Sequence, residues 1–258
     1  MTVAVAIMAK APRPGAVKTR LCPPLTPGEA AELGRCFLRD KIAQVRGLVG
    51  ATPVLAYAPA RERAVFKRLA PDFALIPQRG EDLGARLVSV LASLLGRGHP
   101  AALAIDSDTP TLPTRLLQRA VDLAASGEAD VVLGPSEDGG YYLVGLRTVH
   151  RELFDGIPWS TPGVLDATLA RACATGLRSV CLPPWFDVDT PDDLTRLRRA
   201  LAETPHAAPA TAKWGASKWP PHAGSPRPSN GLRLRTPTPP GYTTSSVRAT
   251  VSPKRPIA

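Results

Sequence analysis

The chain has 258 residues, with 32 Lys or Arg against 22 Asp or Glu, and the formal charge of +10 is unevenly spread: residues 204–258 hold eight basic residues and no acid. Residues 1–203 are therefore nearly neutral, without the basic excess that a nucleic-acid-binding domain uses against phosphates. No apolar run approaches the ~18 residues of a membrane span.

The first apolar run, VAVAIMA (3–9), has no charged region ahead of it. It reads as a strand rather than a signal peptide, and the chain as cytoplasmic. The loop KAPRPGAVKTRL follows, with Lys10, Arg13, Lys18 and Arg20 around Gly15 and with Pro12 and Pro14 restricting the backbone. It is neither a G-x-G-x-x-G nor a G-K-[ST] phosphate loop. Four cations around a glycine that lets the backbone approach a ligand suit a diphosphate; a solvated basic loop is the plain alternative. Thr26-Pro27-Gly28-Glu29 then carries a capping threonine, a proline at the first helical position and a glutamate three residues after the cap, which starts a helix.

Runs at 53–58 and 73–76 predict two more strands, and the second leads into RGEDLGARL. There Gly80 and Gly84 flank Glu81 and Asp82, which either cap the next helix or contact a nucleotide. AALAI (101–105) runs into Asp106-Ser107-Asp108-Thr109-Pro110. Two carboxylates at i, i+2 beyond a strand form a hard-oxygen site for Mg²⁺ or Mn²⁺; helix capping near Pro113 is the alternative.

DVVLG (130–134) leads to Glu137-Asp138-Gly139-Gly140-Tyr141, and the Gly-Gly turn predicts that YYLVGL (141–146) returns antiparallel. Thr161-Pro162 is a weaker helix start. RSVCL (178–182) precedes a second i, i+2 pair, Asp187 and Asp189, directly before Thr190-Pro191-Asp192-Asp193, another capped helix. Asp189 can serve that helix N-terminus; Asp187 has no such duty and is the better ligand.

Cys22, Cys36, Cys173 and Cys181 show no C-x-x-C spacing or neighbouring His and read as reduced, partly buried thiols. Residues 204–258 contain eleven prolines and few large apolar residues. They are expected to be a disordered basic tail whose removal leaves folding and activity intact. The rest is expected to form one α/β domain over 1–203 with a mostly parallel sheet, with ligands beyond the carboxyl ends of the strands.

The series AKAPRPGAVKTRL, GEDLGARL, DSDTPTLP, PSEDGGYYLVGL and FDVDTPDDL resembles the bacterial GT-A-fold family of glycosyltransferase-like proteins, in part selenodomain-associated or arsenosugar-pathway transferases. It is more distantly similar to 2-phospholactate and molybdenum-cofactor guanylyltransferases. The resemblance implies a three-layer, Rossmann-like nucleotide-diphospho-sugar transferase fold. It also implies a diphosphate site under the first loop, with Lys18 and Arg20 at its basic end. By the same resemblance Asp108 would take the metal position with Asp106 beside it, and Asp187 and Asp189 would complete that site. Glu137, Asp138 and Gly139 match a loop that would face the acceptor; independently of the resemblance, Gly139 and Gly140 allow close backbone approach and Tyr141 offers a platform for a sugar or apolar face of the substrate.

The leading expectation is a metal-dependent glycosyltransferase with a nucleotide-sugar donor and a small-molecule acceptor, using Glu137 or Asp138 as base. A nucleotidyltransferase that releases pyrophosphate from an NTP uses the same cations and carboxylates. A nucleotide-binding protein without catalysis is the reading from another class. Base, sugar, acceptor and oligomeric state are not specified by the sequence.

Overall fold

A computed structural model describes residues 2–219; Met1 and residues 220–258 lie outside the described residues, and with them most of the expected tail. Each of the seven apolar runs forms a strand. They are β1 (Val3–Lys10), β2 (Ala51–Ala58), β3 (Ala74–Pro77), β4 (Ala102–Ile105), β5 (Val131–Pro135), β6 (Tyr141–Leu146) and β7 (Ser179–Cys181). They make one sheet in the order β3-β2-β1-β4-β6-β5-β7. β1 lies parallel between β2 and β4, so that Ala6 faces Val54 on one side and Ala104 on the other. β6 alone runs antiparallel, paired with β4 and β5 as the Gly-Gly turn predicts.

The helices are α1 (Pro27–Arg46), α2 (Arg63–Leu69), α3 (Leu83–Leu95), α4 (Thr114–Ser126), α5 (Val164–Ala174), α6 (Pro191–Glu203) and α7 (Pro209–Lys218). They cover both faces of the sheet, which is why β1 is apolar at successive positions and not only at alternate ones. Val3, Val5 and Ile7 pack with Leu38, Ile42 and Leu117 of α1 and α4. Ala4 and Ala6 point the other way, to Leu87, Leu91 and Leu94 of α3. The result is a three-layer α/β domain. Among the described residues no helix is long and apolar enough to cross a membrane.

Two helix starts form as their sequences predict. Thr26 Oγ1 accepts from Glu29 N while the Glu29 carboxylate accepts from Thr26 N; Thr190 and Asp193 repeat the exchange at α6. The third does not. α5 begins at Val164 after Gly163, and the Thr161 hydroxyl donates to Pro158 O instead of capping. All four cysteines are free; Cys22 and Cys36 are half-buried as expected, but Cys173 and Cys181 are exposed.

The domain does not stop at 203. A 3-10 turn (Pro205–Ala207) and α7 continue it, with Ala208 and Trp214 buried in a third cluster beside Phe37, Leu197 and Leu201. The anchor is Asp40 of α1, whose carboxylate accepts from Ala210 N, Thr211 N and Thr211 Oγ1 at 2.6–2.9 Å. A Pro-rich, acid-free composition hid this, because helix α7 buries only Thr211, Trp214 and Gly215 and takes its cap from 170 positions upstream.

The edge strand β7 is held by Arg178, which donates from N, Nε and Nη2 to the Asp130 carboxylate before β5. The Arg178 hydrogen bonds bring the Asp130 carboxyl down from about 3.8 to about 2. Because the folded pKa is depressed, the latch stabilises at pH above about 4 and is lost as pH falls toward 2. Thermal melts of wild type and Asp130→Asn are therefore expected to differ at pH 6 and to converge near pH 2. A gap of constant size across that range would remove Asp130 as its source.

Candidate active site

β1, β4, β5 and β7 all point their carboxyl ends to one side of the sheet. The chain leaves β1 toward β2 and β3 and returns across it to β4, so the order reverses between β1 and β4. Such a switch point opens a crevice between the two following loops. A cavity of about 500 Å³ lies there, lined by Lys10, Pro12, Lys18, Arg20, Asp106, Ser107, Asp108 and Asp189 among others.

At its centre is Lys18. This residue takes a left-handed backbone conformation (φ 52°, ψ 34°) ahead of a 3-10 turn (Thr19–Leu21), and its side chain is 5% exposed. Nζ donates to Asp108 Oδ1 (2.8 Å), Asp189 Oδ1 (3.0 Å) and Val188 O (2.9 Å), and lies 5.4 Å from the Phe37 ring centroid. Burial alone would lower the Lys18 pKa, but Asp108 and Asp189 outweigh it and hold the ammonium above its ordinary value. Asp189 also pairs with Arg20. Val188 N donates to Asp108 O at 3.0 Å, so the two acidic loops are laced together around one cation.

Asp106 is engaged differently. Its Oδ1 accepts from Thr109 Oγ1 (2.7 Å), and Lys41 Nζ donates to Thr109 O and Oγ1 (2.9 and 3.0 Å). Lys41 is fully buried on α1; burial lowers its pKa and raises that of Asp106, and each partly offsets the cost to the other. Sequence reasoning passed over Lys41. The signal was present: Leu33, Phe37, Leu38, Lys41, Ile42 and Val45 fall at the i, i+3, i+4 spacing of one helix face, and a lysine inside that stripe needs a partner.

In the other acidic loops, burial and then the neighbouring Asp138 and Asp189 push Asp187 up to about 6. Asp138 is exposed, with Oδ1 accepting from Gly140 N (3.0 Å). Gly139 has φ +90°, and a Cβ there would meet Pro162 O at 2.1 Å, so this turn fits against 160–163 only as glycine. The expectation of a base at Glu137 meets an obstacle. Arg196 of α6 grips both Glu137 oxygens and lowers its pKa, leaving a weak base already occupied. Tyr141 packs edge-on to Trp159 (6.4 Å, 82°) within the core instead of offering an open face.

Of the expected phosphate ligands, Lys10, Lys18 and Arg20 line the cavity. Arg13 does not: it pairs with Glu62 at 2.7 Å and faces a different cavity. Gly15 (φ +72°) has open space about it. Asp82 caps α3, accepting from Ala85 N at 2.7 Å, and neither it nor Glu81 lines the cavity. Gln78, Leu83, Arg86 and Ser160 do; Leu83 and Arg86 belong to the RGEDLGARL stretch, whose acids rather than its arginine carry the expectation, while Gln78 and Ser160 stand in no motif.

Among the described residues no three His, Cys, Asp or Glu side chains gather as a complete metal site. The donor set nonetheless fits a hard divalent ion. Two carboxylates and one carbonyl converge on a single cation, and Mg²⁺ takes one or two protein carboxylates and leaves its other positions to phosphate and water. Asp108 and Asp189 belong to that set. Asp106, turned to Thr109, stands beside it.

Residues 41–161 match the family DUF2064, described as an uncharacterized protein conserved in bacteria. The chain is similar to the solved structure of a putative nucleotide-diphospho-sugar transferase from Desulfovibrio desulfuricans G20, at 31% identity and TM-score 0.78 over 83% of this chain and 94% of that one. CMP:2-keto-3-deoxy-manno-octonic acid synthetase complexed with CTP shares the fold at 15% identity (TM-score 0.52, 79% of this chain and 99% of that one). So does 4-diphosphocytidyl-2C-methyl-D-erythritol synthase, at 12% identity (TM-score 0.51, 78% and 100%). No curated protein matches the chain.

Proposed function

The chain belongs to the bacterial family of the Desulfovibrio protein, and on that premise we propose that it is a metal-dependent transferase acting on a nucleotide-bound diphosphate, most simply a glycosyltransferase with a nucleotide-sugar donor. The observation that carries this reading is the convergence of one basic and two acidic loops on a single buried cation position, beside a cavity of about 500 Å³. Lys10, Arg20 and Arg86 supply donors for the diphosphate oxygens. Asp108, Asp189 and the Val188 carbonyl would hold Mg²⁺ or Mn²⁺, which supplies charge neutralisation to the departing diphosphate.

Asp138 is the base of this reading. It is exposed, its Oδ1 accepts from Gly140 N, and among the described residues it makes no ion pair of the kind that occupies Glu137. The acceptor hydroxyl gives its proton to the carboxylate as its oxygen bonds the anomeric carbon. The bond from that carbon to the diphosphate breaks, and the nucleoside diphosphate leaves with the electron pair. Lys18 and Arg20 offset the charge that appears on it.

The test is a thermal-shift screen of the full chain with sugar nucleotides and NTPs, with and without Mn²⁺, on wild type and Asp108→Asn. A ligand at a hundred times its dissociation constant stabilises by about 2.7 kcal/mol. A Mn²⁺-dependent shift with sugar nucleotides, lost in Asp108→Asn, with nucleoside diphosphate released on turnover, is the expected result. Pyrophosphate release from an NTP would replace this reading with nucleotidyl transfer. Binding without metal or turnover would leave a nucleotide-binding protein, and no shift with any nucleotide would end the diphosphate reading.

A further inference from the structure

Pro12 lines two cavities. The second, of about 400 Å³, is walled by Pro12, Pro14, Val65 and Leu69 and by the side chains of Arg13, Arg35, Arg39 and Arg68, with no acid in its lining. Among the described residues Arg13 alone of the four is neutralised, by Glu62, whose side chain is 7% exposed. Arg35, Arg39 and Arg68 make no side-chain hydrogen bond or ion pair among the described residues. Arg35 and Arg39 lie at i, i+4 on α1, where like charges repel.

Nothing in the bulk charge accounts for this grouping, since residues 1–203 are nearly neutral. Three unpaired guanidinium forks over an apolar floor suit a ligand with a phosphate at one end and a carbon skeleton at the other. The volume exceeds that of a bare anion and falls in the range of small-molecule sites.

We infer that the cavity between α1, α2 and the Pro12-Arg13-Pro14 strap is a second ligand site, for a small phosphate-bearing molecule, and distinct from the nucleotide cavity. It stands whether or not the transferase reading does. Since Pro12 belongs to both walls, a ligand in the second cavity restrains the loop that carries Lys18 and Arg20, and coupling between the two sites is reciprocal.

Pyrophosphate is the probe, titrated calorimetrically into the full chain at 0.15 M salt, where long-range attraction to a merely basic surface is screened. Wild type is expected to show two binding events. Arg35→Gln/Arg39→Gln, two exposed positions whose loss leaves the core untouched, weakens one by about tenfold or more and leaves the other. Arg20→Gln/Arg86→Gln does the reverse. A single event abolished by Arg20→Gln/Arg86→Gln, or two events indifferent to Arg35→Gln/Arg39→Gln, overturns the second site. Co-sedimentation with phosphatidic acid vesicles separates the two sources of phosphate. Arg35- and Arg39-dependent pelleting without a matching pyrophosphate event would overturn a small-molecule site in favour of a lipid headgroup.

Discussion

A chain cut after Glu203 is expected to be about 3–5 kcal/mol less stable than one cut after Trp219, lowering its melting temperature by roughly 10 °C. The cost comes mainly from Trp214, 8% exposed, and Ala208, fully buried, which cover Phe37, Leu197 and Leu201. Trp219 adds an edge contact to Trp214 at 5.5 Å. The Asp40 carboxylate contributes less. Burial raises its pKa despite three hydrogen bonds from Ala210 and Thr211, and once α7 is gone water solvates it again. Trp214→Ala should therefore reproduce most of the loss and Asp40→Asn only about 1 kcal/mol. Denaturant melts of the two truncations decide the matter: equal midpoints would restore the boundary at 203.

The failure at 203 and the success at the strands have the same cause. A strand buried on both faces announces itself as a continuous apolar run, and all seven runs became strands. Capping boxes are equally local, so Thr26 and Thr190 were legible. α7 is not local: its N-terminus is capped by Asp40, far away in sequence. The site divides along the same line. Strand-end position and charge pick out Lys18, Arg20 and Asp108, but not which acid each cation would face: they favour Asp187 over Asp189, and it is Asp189 that meets Lys18 and Arg20. Glu137 looked free because Arg196 is 59 residues distant, and Arg13 looked like a phosphate ligand because Glu62 is 49 away. Asp82 needed only its neighbour Ala85, and the capping alternative already open in the sequence is the one the fold adopts.

Lys18→Met is expected to lower turnover by about 100- to 1000-fold, the usual cost of one charged group at a developing anion. It should also bind Mn²⁺ more tightly than wild type when no nucleotide is present. The two effects have opposite signs because the Lys18 ammonium has a different counter-anion in the empty and in the occupied site. In the empty site its ammonium sits where Asp108, Asp189 and the Val188 carbonyl converge, and a divalent ion must displace it. With a diphosphate bound, the ammonium has a new anion to meet. Stability should fall by only about 1–2 kcal/mol. Breaking a buried pair costs about 3–5 kcal/mol, but the Asp108 side chain is 42% exposed and Asp189 keeps Arg20, so water and a second cation take up part of the charge. Lys18→Arg separates charge from shape: a planar guanidinium cannot occupy a position built from three oxygens around a compact ammonium, so it should lose turnover nearly as severely. The measurement is Mn²⁺ titration of the nucleotide-free protein by electron paramagnetic resonance. Weaker or unchanged Mn²⁺ binding in Lys18→Met would mean that Asp108 and Asp189 are arranged for the lysine itself, and that the diphosphate is neutralised by protein cations alone.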